Sequence, residues 1–362
     1  MNYFYTKKGK ILQSFACIKY QTSMPASLFD VAQAVGVSIS TVSRALNHPQ
    51  MVDEKTRLRI QSAVNLMGYV PQGAGRALVS RETFTIGAII SQIGASAFAK
   101  TIEALRTQLS KAGYTLLLAQ PTEGNNSSIG PLRVLIERGV DAVVLLGGGG
   151  KYLDDWKYLL EKNNIPLVNI WADASEGNSG DIGLDNYFAG QTAVNYLSSL
   201  GHSKFALISG TLEGNQRASR RYLGILETIA SNGGQLMRNN IKEADYTFQA
   251  GYDATLELLN SHPNFTALIC GNDYLALGAI AALHERGLEV PKSMSIIGFN
   301  NSDFSPFINP PLTTISFPSV EIGMQAAELL INLSRKKITT PKSLMLPTQL
   351  IIRQSCEELK QI

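Results

Sequence analysis

From Phe84 onward the chain alternates short apolar runs with amphipathic stretches, and this alternation narrows the possible folds more than any other feature. Apolar runs lie at residues 86–90, 114–118, 142–146, 166–170, 205–208, 267–270 and 294–297. Between them apolar residues recur at helical spacing, as in Phe98, Ile102, Leu105 and Leu109, or over residues 188–200. Strands that are apolar throughout are buried on both faces, and strands separated by a helix pair in parallel. More than six such units, over about 280 residues, exceed what one sheet holds comfortably. Two sheets are expected, hence two α/β lobes with a cleft between them.

Residues 28–47 have another texture. Two short helical patterns meet at Gly36, a residue type that accepts the positive φ of a tight interhelical turn. Val31, Ala32, Val37, Val42 and Leu46 are spaced to pack the helices together, and Ser38 stands where the second helix needs an N-cap. That helix then presents Ile39, Ser40, Ser43 and Arg44 outward, with Ser40 and Arg44 on one face. A plain helical hairpin shares the apolar spacing. Small polar groups followed by an Arg favour a recognition helix, because they fit the major groove and place a guanidinium near guanine. Asp53 is the expected N-cap of a third helix running to Met67, with Gly68 as its stop. Residues 72–83, containing Gly73 and Gly75, read as a linker.

Charge follows the same division. Residues 1–80 hold nine Lys/Arg against three Asp/Glu, a net +6 within a chain of +3, so the remainder carries −3. A basic head on a mildly acidic body suits a DNA-binding module joined to a sensor. Three scattered cysteines (Cys17, Cys270, Cys356) support neither a disulfide framework nor a metal site. With no apolar run of membrane-spanning length, a cytoplasmic location is expected. The four histidines (His48, His202, His262, His284) are dispersed, and no catalytic triad or nucleotide fingerprint stands out, so neither enzymatic activity nor a cofactor is expected. His202 reads as a structural loop residue. The glycines at 147–150 read as a loop, since the Lys-Ser/Thr of a phosphate-binding motif is missing. Residues 1–24 read as a disordered or mis-assigned extension ahead of Met24; a basic arm adding phosphate contacts is the functional alternative.

An ordered set of short motifs then resembles the LacI/GalR family of bacterial repressors, from about residue 27 to 355. It includes Asp30-Val-Ala, Gly36-Val-Ser, Thr41-Val-Ser-Arg44, Gly68-Tyr-x-Pro71, Asp185-Asn186, Arg221-x-x-Gly224, Asn272-Asp, Gly298-Phe299 and Pro310-Pro-Leu-Thr-Thr314. The resemblance implies an all-α helix-turn-helix headpiece (25–71), a hinge (72–83) and a two-lobed, periplasmic-binding-protein-like α/β sensor with parallel sheets (84–356), before a short tail (357–362). It implies a homodimer on double-stranded operator DNA, joined through the loop 304–311 and the helix after Phe98. The function so implied is a repressor of carbohydrate-metabolism genes, released by a small effector; a corepressor-type regulator sensing a nucleobase is the alternative.

Position by position, the resemblance places Ile39, Ser40 and Arg44 on base edges, and Thr41, Ser43 and Asn47 on phosphates. Leu78 falls at the family's minor-groove wedge, and the hinge glycines predict weaker operator affinity than is usual in the family. Thr41 in local capping and Leu78 as an ordinary apolar residue remain open alternatives. In the sensor, Phe98, Arg221 and Asn272 match effector-binding positions. For Arg221 a surface ion pair on a helix is the other reading, with Arg217 and Arg220 close by; for Asn272 it is a strand-end turn. Asn300 replaces the acid that usually follows Gly-Phe, the loop 94–97 lacks the usual Asn-Pro-Phe, and Trp171 stands where a charged pair is common. Loss of a carboxylate removes repulsion towards anions. The effector expected is therefore a sugar acid or sugar phosphate flanked by Trp171, unless Asp303 or Asp273 replaces the missing acid.

Overall fold

The computed structural model describes residues 25–70, 82–90, 96–120, 129–147, 153–173, 180–261 and 264–359. The chain divides into two compact units, Met1–Arg81 and Glu82–Ile362. Several sequence readings lie outside the described residues: the extension 1–24 with Cys17, hinge residues Gly73, Gly75 and Leu78, the glycines 148–150, and His262.

In the first unit α1 (Leu28–Val35), α2 (Ile39–Asn47) and α3 (Glu54–Met67) enclose a small core of Val31, Ala32, Val42, Ile60 and Val64. Ser27 and Asp30 form a capping box at the start of α1. Gly36 takes φ 70° at its end, which only a residue without Cβ adopts at little cost. Ser38 Oγ accepts from Thr41 N at 3.1 Å, and Asp53 Oδ1 accepts from Thr56 N at 3.0 Å, so α2 and α3 are both capped by their preceding side chains. Arg59 Nη2 donates to Val35 O at 2.6 Å and ties α3 to the last turn of α1.

The second unit holds two lobes. The first has β1 (Thr85–Ile90), α4 (Ser96–Lys111), β2 (Thr115–Ala119), α5 (Gly130–Glu137), β3 (Ala142–Leu146), α6 (Leu153–Lys162), β4 (Leu167–Asp173) and β5 (Asp181–Leu184). The chain then enters the second lobe through α7 (Asn186–Ser199), β6 (Lys204–Ser209), α8 (Gln216–Ser231), β7 (Gln235–Glu243) and α9 (Phe248–Asn260). β8 (Ala267–Cys270), α10 (Asp273–Glu285), β9 (Ser295–Asn300) and β10 (Thr313–Ser316) complete it. α11 (Ser319–Ser334) returns to pack on α4; β11 (Leu344–Met345) joins the first sheet and β12 (Gln349–Ile351) the second.

The sheets run β2-β1-β3-β4-β5-β11 and β7-β6-β8-β9-β10-β12. Both repeat a doubly wound order whose carboxyl ends form a crevice where the winding reverses. The pairings are parallel, as expected, apart from the short edge strand β12, which runs antiparallel to β10. The strands foreseen from sequence are β1–β4, β6, β8 and β9. β5 and β10 are buried but short and broken by polar residues or glycine; β7, mostly exposed or half-buried, and the very short β11 and β12 carry no continuous apolar run either. The chain crosses between lobes three times, after β5, after β10 and between β11 and β12. Glycines bring helices into close contact near the crossings: a Cβ at Gly224 would collide with Tyr187 O, and one at Gly323 with Thr101 O.

At the other end of the second lobe His202 is buried, with Nδ1 2.8 Å from Thr266 Oγ1 and Nε2 2.9 Å from Ser295 Oγ and 3.2 Å from Glu357 O. It joins two strands to the C-terminal segment, the structural role expected of it. Burial pushes its pKa below the ordinary imidazole value, only partly opposed by the Glu357 backbone. The unfolded chain then binds the extra proton first. The stability contributed by neutral His202 is complete above pH 6.5 and declines as pH falls through the unfolded and then the folded pKa. Urea unfolding from pH 7.5 to 5 is expected to show this decline, and His202→Gln to flatten it.

Candidate functional site

The outer face of α2 carries Ile39, 47% exposed, together with exposed Ser40, Arg44 and Asn47. Val42 and Ala45, on the opposite face, are buried. Thr41 and Ser43 are half-buried at its margins. Ser38 Oγ lies 2.8 Å from both Ser40 Oγ and Thr41 Oγ1, so the cap also orders two hydroxyls at the helix N-terminus. Asn47 Nδ2 donates to Ser43 O at 3.0 Å and closes the last turn. The face therefore offers one apolar contact, ordered hydroxyls and an exposed guanidinium on a capped helix.

In the second unit the cleft between the lobes holds about 550 Å³ of unfilled space, its mouth included. The structure brings Phe98, Trp171, Arg221, Asn272 and Asn300 together along it. Trp171 sits at a bulge of β4 with φ 60°, buried, its Nε1 donating to Thr101 Oγ1 at 3.0 Å. Its ring meets Phe98 edge-on at 5.1 Å between centroids and Phe317 at 5.9 Å, making one aromatic wall. Asn272 caps α10, Oδ1 accepting from Leu275 N at 2.9 Å, so the strand-end reading and the cleft-lining one both hold for it. Asn300 ends β9 with φ 102°, a conformation asparagine tolerates better than most residues.

Arg221 is 8% exposed. Nη1 donates to Gly271 O at 2.5 Å and Nη2 to Asn186 Oδ1 at 2.8 Å, while the guanidinium lies over the rings of Phe299 (4.5 Å) and Phe317 (5.2 Å). Its Nε, buried, has no hydrogen-bond partner. The surface-ion-pair reading of Arg221 is thus corrected; Arg220 is the one that pairs, with Asp173 of the first lobe at 3.7 Å. Burial pushes the Arg221 pKa down, with Tyr246 opposing.

Neither replacement acid serves the cleft. Asp273 is fully buried beneath it, accepting from Ser302 N (2.6 Å), Ser305 Oγ (2.7 Å) and Thr314 Oγ1 (2.6 Å), and burial raises its pKa. Asp303 is exposed and pairs with Lys100 across the lobes. Among the lining residues not expected from the sequence are Asn186, Arg217, Tyr246 and Phe317. Asn186 belongs to the motif Asp185-Asn186, and Arg217 lies four residues before Arg221 and so shares its helix face.

An exposed helix face with Ile39, Ser40 and Arg44 on one unit and a polar cleft between the lobes of the other fit a class: a DNA-binding regulator with a two-lobed sensor. Residues 27–72 match the bacterial regulatory proteins of the lacI family, and residues 194–356 match the periplasmic binding protein-like domain. The chain is 33% identical over 334 residues to the HTH-type transcriptional repressor CytR of Escherichia coli (strain K12), covering 92% of this chain and 97% of that protein. It is 32% identical to the HTH-type transcriptional repressor PurR of Glaesserella parasuis serovar 5 (strain SH0165), over 93% and 100% of the two chains. The fold matches the Lac repressor dimer solved with operator and the anti-inducer ONPF, with a TM-score of 0.81, 25% identity, and coverage of 92% of this chain and 100% of that one. The protein belongs to the LacI family.

Because Arg221 satisfies both Gly271 O and Asn186 Oδ1, a shorter-reaching donor cannot replace it. Arg221→Lys is expected to destabilise the second unit by about 1–3 kcal/mol, read by urea unfolding.

Proposed function

We propose that the protein is a ligand-responsive, sequence-specific repressor that binds operator DNA as a homodimer and is released by a small carbohydrate-type effector. The observation that carries this reading is the pairing of the exposed Ile39–Ser40–Arg44 face with a cleft lined by buried polar groups, in a family whose relatives above are named repressors. Ile39, Ser40 and Arg44 contact base edges, with Arg44 reading guanine through its fork. Thr41, Ser43 and Asn47 hold phosphates and set the register. Leu78 enters the minor groove at the centre of the site. Phe98, Trp171, Arg221, Asn272 and Asn300 hold the effector. Its entry alters the lobe arrangement and so the distance between the two DNA-reading heads.

The aromatic wall of Phe98, Trp171 and Phe317 supports a second reading, in which a flat nucleobase is the ligand and tightens DNA binding. Fluorescence anisotropy with duplexes selected from a random pool tests both. The wild-type chain is expected to enrich a pseudo-palindrome, and Arg44→Ala to lose about 1–3 kcal/mol of discrimination at one G·C pair per half-site. Sugars or sugar derivatives are expected to weaken the complex; tightening by a nucleobase would favour the second reading. No enrichment by the wild-type chain would contradict both.

A further inference from the structure

We propose that the effector carries an oxyanion, carboxylate or phosphate, gripped by Arg217 and Arg221 together; this rests on the effector-responsive reading above. Arg217 stands in the first turn of α8 and lines the cleft one helical turn before Arg221. Its guanidinium lies over the Phe98 ring at 5.3 Å and against the backbone of Gly147, where an added Cβ would be 3.1 Å from Nη2. Its Nε is buried without a hydrogen-bond partner, as is that of Arg221. No carboxylate among the described residues lies within 4.0 Å of either guanidinium.

Two like charges with unused donors in a partly dehydrated cleft are costly to keep apart from a counter-ion. Arginine does not lose its proton, so the site cannot relieve that cost by neutralising itself. Burial lowers the pKa of Arg217, Tyr246 opposes the shift and Arg221 adds to it. The two acids that would compensate are engaged elsewhere, Asp273 in its hydroxyl cage and Asp303 with Lys100. Asn300 at the end of β9 adds an amide and no negative charge. The remaining contact surface, Phe98 and Trp171, suits the carbon skeleton of a sugar or other small ring. A planar guanidinium pair suits the oxygens of carboxylate and phosphate alike.

The full-length chain is titrated with inorganic phosphate in chloride buffer of matched ionic strength, following thermal unfolding of the second unit. Glucose, gluconate and glucose 6-phosphate are the further arms and separate carboxylate from phosphate. A saturable rise in Tm with phosphate is expected, weakened at least tenfold in apparent affinity by Arg217→Gln and partly retained by Arg217→Lys. Phosphate also stabilises proteins by exclusion from their surface, but that rise does not saturate and is equal in all variants. An equal, unsaturable rise in wild type and Arg217→Gln overturns the proposal, as does saturable binding of glucose that Arg217→Gln leaves intact. Duplex binding is recorded on the same samples. A chain that selects DNA but ignores oxyanions refutes only the anion pair; one that selects no DNA refutes the regulator reading.

Discussion

The guanidinium of Arg221 is a buried cation that donates to a backbone carbonyl and an amide, with no carboxylate among the described residues within 4.0 Å. Those partners sit at the joints of the molecule. Asn186 begins the helix entered at the first lobe crossing, and Phe317 lies in the second crossing, between β10 and α11. Gly271 follows the strand β8, which feeds α10. One side chain therefore touches the floor of the cleft and two of the three segments about which the lobes turn. In the function proposed above, a ligand that draws on Arg221 competes with contacts between the lobe crossings and the cleft floor.

Around that contact the cleft is made from strand ends. Trp171, Gly271, Asn272 and Asn300 all lie at or just beyond the carboxyl ends of parallel strands, where the doubly wound order leaves backbone unpaired. Positive φ at Trp171 and Asn300 marks two places where the chain departs from regular strand geometry, both of them in the cleft. Two ion pairs span the lobes, Arg220 with buried Asp173 and exposed Lys100 with Asp303. The exposed pair contributes little in water.

Much of this was legible in the sequence. Seven strands and the three helices of the head follow from local rules: continuous apolar runs, Gly36, Ser38 and Asp53. The strands β5, β7, β10, β11 and β12 were not legible: β5 and β10 are buried but short and interrupted by Asp, Gly, Thr or Ser, and β7, β11 and β12 lack a continuous apolar run. Within the cleft, Phe98, Trp171, Arg221, Asn272 and Asn300 were placed by resemblance or by departure from it, and they do come together. Arg217 was missed because an arginine beside two others on a helix reads as a solvated face. Only the packing of α8 against the first lobe turns Arg217 and Arg221 inward while Arg220 pairs at the rim. The assignment of acids failed for the same reason, since hydrogen-bond engagement of Asp273 and Asp303 is a tertiary property.

We infer that the positive charge of Arg217, unlike that of Arg221, is kept for a ligand rather than for the fold. Arg217→Met removes a charge with an unpartnered Nε and fills similar volume, so urea unfolding in buffer free of polyvalent anions compares the two roles directly. If the account is right, the unfolding midpoint of the second unit stays level or rises, as replacing buried charge with well-packed apolar groups often allows. A loss of about 2 kcal/mol or more, the scale for breaking a structural charge contact, would contradict it and make Arg217 part of the scaffold.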